Sequence, residues 1–84
     1  MNDFYMTVRS VTLGQKGREA LARAGIHCRL LRAPREIAPG GCAYALALRG
    51  REAHEAVQIL DRARVSVVGC WVKRADGNFV RLEP

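Results

Sequence analysis

Two stretches of this chain alternate large apolar side chains with other residues, and each is followed by an apolar run at helical spacing. Phe4, Met6 and Val8 alternate with Tyr5, Thr7 and Arg9, and Tyr44, Leu46 and Leu48 alternate with Ala43, Ala45 and Ala47. That period of two is the mark of a strand with one buried face. After the first come Leu13, Gly17, Ala20, Leu21 and Ala24; after the second come Ala53, Ala56, Val57, Leu60 and Ala63. These recur every three to four residues, as the buried side of a helix does. A β-α order written twice confines the chain to a few folds, because each helix must lay its apolar stripe on a sheet.

The rest of the pattern completes that order. Ser10 or Thr12 is the expected N-cap of the first helix and Gly25 its stop. Gly14 and Gly17 each weaken the helix by about 1 kcal/mol relative to alanine, but they let it sit close to a sheet. His27–Arg32 reads as a second strand, ended by Ala33-Pro34, and Ala43–Leu48 as a third. The second helix is expected from about Arg51 to Arg64, and the fourth strand over Val65–Val72. Asp76-Gly77 is a turn signal, so Asn78–Leu82 pairs back as a fifth strand. The expectation is an α+β, ferredoxin-like βαββαβ two-layer sandwich with a C-terminal β-hairpin extension. Right-handed crossovers give strand order 4-1-3-2, antiparallel throughout, with both helices on one face. That face receives Phe4, Met6, Val8, Tyr44, Leu46 and Leu48. Tyr5, Thr7, Arg9 and alanines 43, 45 and 47 are expected on an open face.

A chain of 84 residues is read as one domain, 1–84, with a modest core. No apolar run reaches the roughly 20 residues of a membrane span. Met1-Asn2-Asp3-Phe4 does not open a signal peptide. A multidomain enzyme, a membrane protein, a secreted knot and a coiled coil are excluded, and a cytoplasmic protein is expected. Cys28, Cys42 and Cys70 are an odd number of widely spaced cysteines, which points to free thiols rather than a disulfide scaffold. No C-x-x-C occurs, and His27 and His54 stand apart, so no metal site and no cofactor are expected. The 14 Lys and Arg against 8 Asp and Glu give +6. The basic residues are spread along every segment, which fits a solvated surface or an anionic partner.

The expected topology directs attention to one loop. The third strand begins at the sheet end where the first strand ends and the first helix begins. Cys42 opens the third strand, with the parity of Tyr44, so its sulfur is expected toward the helix layer. Unpaired N–H groups and roughly half a positive charge at a helix N-terminus stabilise a thiolate. Arg35, with Arg32, adds positive charge, and Gly40 and Gly41 let the backbone approach an anion. Cys28 and Cys70 lie in apolar patterns and read as packing residues. No histidine is placed to act as a base for Cys42, which disfavours a Cys-His hydrolase.

At this loop the chain resembles a known family. Ala24-Gly25-Ile26, Leu30-Leu31, Pro34-Arg35-Glu36-Ile37, Cys42 and Ala45-Leu46 are similar to the pattern GI…L.P.PREIS..CG.ALRF of the small bacterial selenium/sulfur carrier-like proteins. The resemblance covers roughly Phe4 to Val72. It implies that Cys42 is the family cysteine and that Arg35 belongs to the signature loop. The family's Cys-Gly is Cys42-Ala43 here, the serines before the cysteine are replaced by Ala38-Pro39-Gly40-Gly41, and the hairpin after Lys73 is an addition. The implied role is a non-enzymatic carrier that holds a persulfide or selenosulfide on Cys42. Its partners would be sulfur or selenium donor and acceptor enzymes. The alternatives are a homodimer formed through the open sheet face, or a nucleic-acid-binding module. The second is disfavoured because the third strand puts alanines, not stacking aromatics, on that face.

Overall fold

A computed structural model describes residues 2–38 and 43–82. The strands are β1 (Asp3–Val8), β2 (Arg29–Arg32), β3 (Tyr44–Arg49), β4 (Gly69–Lys73) and β5 (Phe79–Leu82). The helices are α1 (Val11–Arg23) and α2 (Ala53–Arg62), and short 3-10 turns occupy Arg35–Ile37 and Gly50–Glu52. The strands form one antiparallel sheet in the order β2-β3-β1-β4-β5. Read from the β4 side, the first four strands have the expected order 4-1-3-2, and β5 extends the sheet as the second strand of a hairpin.

Local chemistry sets the helix ends. Ser10 is the N-cap of α1: its Oγ accepts from the Leu13 N–H at 3.1 Å. At the other end the Ile26 N–H donates to the Leu21 carbonyl and the Gly25 N–H to that of Ala22, with Gly25 at φ 83°. This is the paired closure of a Schellman turn. The end of α2 repeats it, Val65 to Leu60 and Arg64 to Asp61, with Arg64 at φ 60° in the place glycine prefers.

The helix-side core is built from Phe4, Met6, Val8, Leu46 and Leu48 of the sheet against Leu21 of α1 and Ala56 and Leu60 of α2. The large residues of β1 and β3 therefore point where their alternation predicted. α1 lies close to the sheet: a Cβ at Gly17 would stand 2.9 Å from Leu46 Cδ1 and 3.1 Å from Leu60 Cδ2. Both leucines are fully buried, so nothing larger than glycine fits without displacing core atoms.

Two expectations need correction. The fourth strand starts at Gly69, not Val65, and the second at Arg29, not His27. Val65, Ile26 and Cys28 are buried all the same, supplied to the core by connections rather than by strands. Second, the face opposite the helices is not open. Tyr5 is 5%, Thr7 2%, Ala45 0% and Ala47 1% exposed. After β2 the chain folds back over the sheet, and Ile37 of the first 3-10 turn packs on Tyr5, Ala45 and Ala47, flanked by Leu31, Ala33, Trp71 and Phe79. The alanines are small because a covering segment lies against them. The sheet-packed homodimer expected through this face therefore lacks its open surface.

Candidate functional site

The candidate segment is flanked by described residues. Ala38, on its N-terminal side, is buried, and its N–H closes the 3-10 turn on the Arg35 carbonyl at 3.3 Å. On its C-terminal side the Ala43 carbonyl accepts from the Ala33 N–H at 3.0 Å. Between them lie Cys42, Gly40 and Gly41, which fall outside the described residues. Arg35 lies on the 3-10 turn and is exposed; Arg32, also exposed, ends β2 with its guanidinium 5.7 Å from the Tyr44 ring centre.

The register fixes where β3 begins. Tyr44 pairs with Val8, the last residue of β1, and α1 starts three residues after Val8. The start of β3 and the first turn of α1 thus share one end of the sheet, as the topology predicted. The Leu13 N–H is taken by Ser10, and no acidic side chain occupies the first turn of α1. The positive end of the helix is therefore not neutralised by a carboxylate of its own first turn.

The other two cysteines lie among the described residues. Cys28 and Cys70 are free. Burial pushes both thiols up, opposed in part by the Arg18 guanidinium near Cys28 and the Arg81 guanidinium near Cys70. A thiol held protonated at neutral pH is a poor nucleophile. Among the described residues no group of three or more His, Cys, Asp or Glu side chains is arranged to hold a metal ion, and no helix is long and apolar enough to cross a membrane.

Tyr5 and Trp71, aromatics of the type that stack bases, are already engaged. Tyr5 is buried and meets Phe79 edge-to-face with ring centres 5.2 Å apart. Trp71 has the Arg81 guanidinium over its ring at 5.4 Å. Its Nε1 is buried with no hydrogen-bond partner among the described residues, a feature that residue spacing does not signal.

No curated protein and no solved structure matches the chain significantly. Residues 3–72 match the sequence profile of the family described as putative Se/S carrier protein-like. The match takes in β1 through most of β4, residues 39–42 included, and stops before β5. With this match extending over most of its length, the chain belongs to the putative Se/S carrier protein-like family.

Proposed function

We propose that the protein is a non-enzymatic carrier of sulfur or selenium, that its sandwich is of the ferredoxin-like type, and that Cys42 is the attachment atom. Family membership over residues 3–72 carries this reading. Two features of the fold support it. β3 begins beside the first turn of α1, an environment that favours a thiolate over a thiol. The remaining cysteines are packed and shifted toward the protonated form, which leaves Cys42 as the candidate nucleophile. Arg35, Gly40 and Gly41 are the groups assigned to the negative charge.

Loading is a thiol exchange. The Cys42 thiolate attacks the terminal sulfur of a donor persulfide. A new S–S bond forms on Cys42, the donor's S–S bond breaks, and the donor cysteine leaves as a thiolate. One anion is consumed and one released, and no external oxidant or reductant enters. The same exchange with selenium gives a selenosulfide, and delivery to an acceptor thiolate is the reverse step on a second partner. Burial of Tyr5 and the cover over the alanine face weigh against the nucleic-acid reading.

The test is intact mass after incubation with a desulfurase-type donor. The protein should gain the mass of one sulfur, about 32 Da, and lose it on reduction; Cys42→Ser should gain nothing. No adduct on the wild type, or an adduct that persists in Cys42→Ser, contradicts the proposal. RNA binding that resists high salt and survives Cys42→Ser, with no adduct, would favour the nucleic-acid module.

A further inference from the structure

The end of the sheet opposite the start of β3 gathers arginines around a concavity. Arg29 opens β2 and Arg49 closes β3. Arg29 is in register with Ala47, and Arg49 lies two residues further along β3. Both arginines therefore stand on the face that carries Ala45 and Ala47, at diagonal positions roughly 7–8 Å apart. Arg51, on the second 3-10 turn, and His27, just before β2, come in from the connections. The four line an open pocket of about 390 Å³ that reaches down to the buried Ala47 and Leu48. Among the described residues, the guanidiniums of Arg29, Arg49 and Arg51 make no hydrogen bond, ion pair or ring contact, whereas Arg32 lies over the Tyr44 ring and Arg62 donates to the Gln58 carbonyl. Two carboxylates share the pocket, Asp3 and Glu52. Asp3 stands across from Arg49 on one side and Lys73 on the other, so this carboxylate faces two cations. Glu52 sits at the N-cap of α2, where the positive end of the helix attracts it. Arg29 has no such neighbour across the sheet: β2 is an edge strand and its partner there is Ala47. Two like charges side by side on one face repel, and an anion held between them removes that cost.

We infer that this pocket binds the phosphate group of a small phosphorylated ligand, with the forks of Arg29 and Arg49 on the phosphate oxygens and Arg51 and His27 at the rim. The donor set selects the ligand. A guanidinium presents paired N–H donors in a plane, and each pair matches two oxygens of an oxyanion. A carboxylate has two oxygens and is filled by one fork. A terminal phosphate has three and accepts from several arginines at once. The charge points the same way: three arginines face two carboxylates, one of them shared with Lys73, so the lining stays positive. The pocket has the size of a small-molecule site. It is concave, unlike the groove along which a nucleic-acid strand is tracked. Tyr44 and Arg49 are the two ends of β3, about 17 Å apart at the rise of an antiparallel strand. The pocket is therefore separate from the candidate segment that holds Cys42, and the inference does not rest on the carrier reading.

The experiment follows backbone and arginine side-chain N–H signals by NMR, at about 0.15 M ionic strength so that diffuse attraction is screened. The protein is titrated with pyrophosphate, adenosine diphosphate, acetate and a single-stranded oligonucleotide. Pyrophosphate should give saturable shifts at Arg29, Arg49, Arg51 and Gly25, all of which line the pocket, and leave Arg9, just past the other end of β1, in place. Arg29→Gln and Arg49→Gln should each weaken binding at least about tenfold. Arg29→Lys keeps the charge but loses the fork, and should weaken it too. Arg9→Gln removes one charge elsewhere and should change binding by less than about twofold. The side chains of Arg29, Arg49 and Arg51 are exposed, so unchanged denaturation midpoints are expected; if either glutamine variant fails that check, Arg51→Gln replaces it. Adenosine diphosphate binding tighter than pyrophosphate would place a nucleoside in the pocket as well; equal binding would mean that the phosphates alone are read, and either result keeps the site. Shifts that do not saturate, shifts spread over the arginines at both ends of the sheet, an equal loss in Arg9→Gln, or acetate bound as tightly as pyrophosphate would overturn the inference. Binding of the oligonucleotide through these arginines without binding of pyrophosphate would overturn it in favour of a nucleic-acid surface.

Discussion

The two faces of the sheet are buried by different means. On one, α1 and α2 lay Leu21, Ala56 and Leu60 over Phe4, Met6, Val8, Leu46 and Leu48. On the other, a three-residue turn places Ile37 over Tyr5, Ala45 and Ala47. The helix face is a layer of large side chains held by many contacts. The opposite face is a smaller cluster, in which Ile37 covers Tyr5 and two alanines and Leu31, Ala33, Trp71 and Phe79 close the sides. The first should therefore dominate stability, and the second should open first, at the segment that leads into the Cys42 loop.

The largest effect should come from the helix face. Leu46 is fully buried between β1, β2 and α1. Leu46→Ala removes its contacts and leaves a cavity, which should lower unfolding stability in denaturant by about 3–4 kcal/mol. On the other face, Ile37→Ala should cost about 2 kcal/mol, at the low end for a large-to-small change. It should also raise binding of a hydrophobic dye, because Tyr5 and the alanines lose their cover. If Ile37→Ala proves as costly as Leu46→Ala, the comparison between faces fails.

The contrast also explains what the residues disclosed. Alternation in β1 and β3 gave those strands to within a residue, because one side of each carries the large residues that meet the helices. Ser10 and Gly25 marked the ends of α1 for the capping reasons that operate there. Val65–Val68 read as strand because an apolar run carries no record of whether it pairs or only packs; Val65 is buried by the turn that closes α2. The cover over the second face was not legible, since Ile37 is one apolar residue in a stretch of prolines, glycines and charges. The site was legible in part. The shared end of β3 and α1 followed from topology; Arg35 lies exposed on the 3-10 turn after β2, and its role is a proposal. Cys42, Gly40 and Gly41 rest on the residue pattern and the family.

The smallest effect is a pH dependence. Burial raises the thiol pKa of Cys28 and of Cys70 in the folded state. The folded protein thus holds these protons more tightly than the unfolded chain. That stability is fully present below the unfolded thiol pKa of about 8.5 and is lost as pH rises through the higher folded values. Denaturation midpoints should fall at alkaline pH, and the fall should be smaller in Cys28→Ala. An unchanged alkaline slope in that variant would mean Cys28 is not held protonated by its surroundings.

The proposed role of Cys42 requires it to be more reactive than the two packed cysteines, Cys28 and Cys70. Brief alkylation at pH 7 with a small iodoacetamide reagent, followed by peptide mapping, reads all three cysteines in one sample. Cys42 should be modified at least about ten times faster than Cys28 and Cys70, as thiolate fraction controls the rate. Labelling of Cys42 at or below the rate of either of the others would contradict the assignment of Cys42 as the carrier atom.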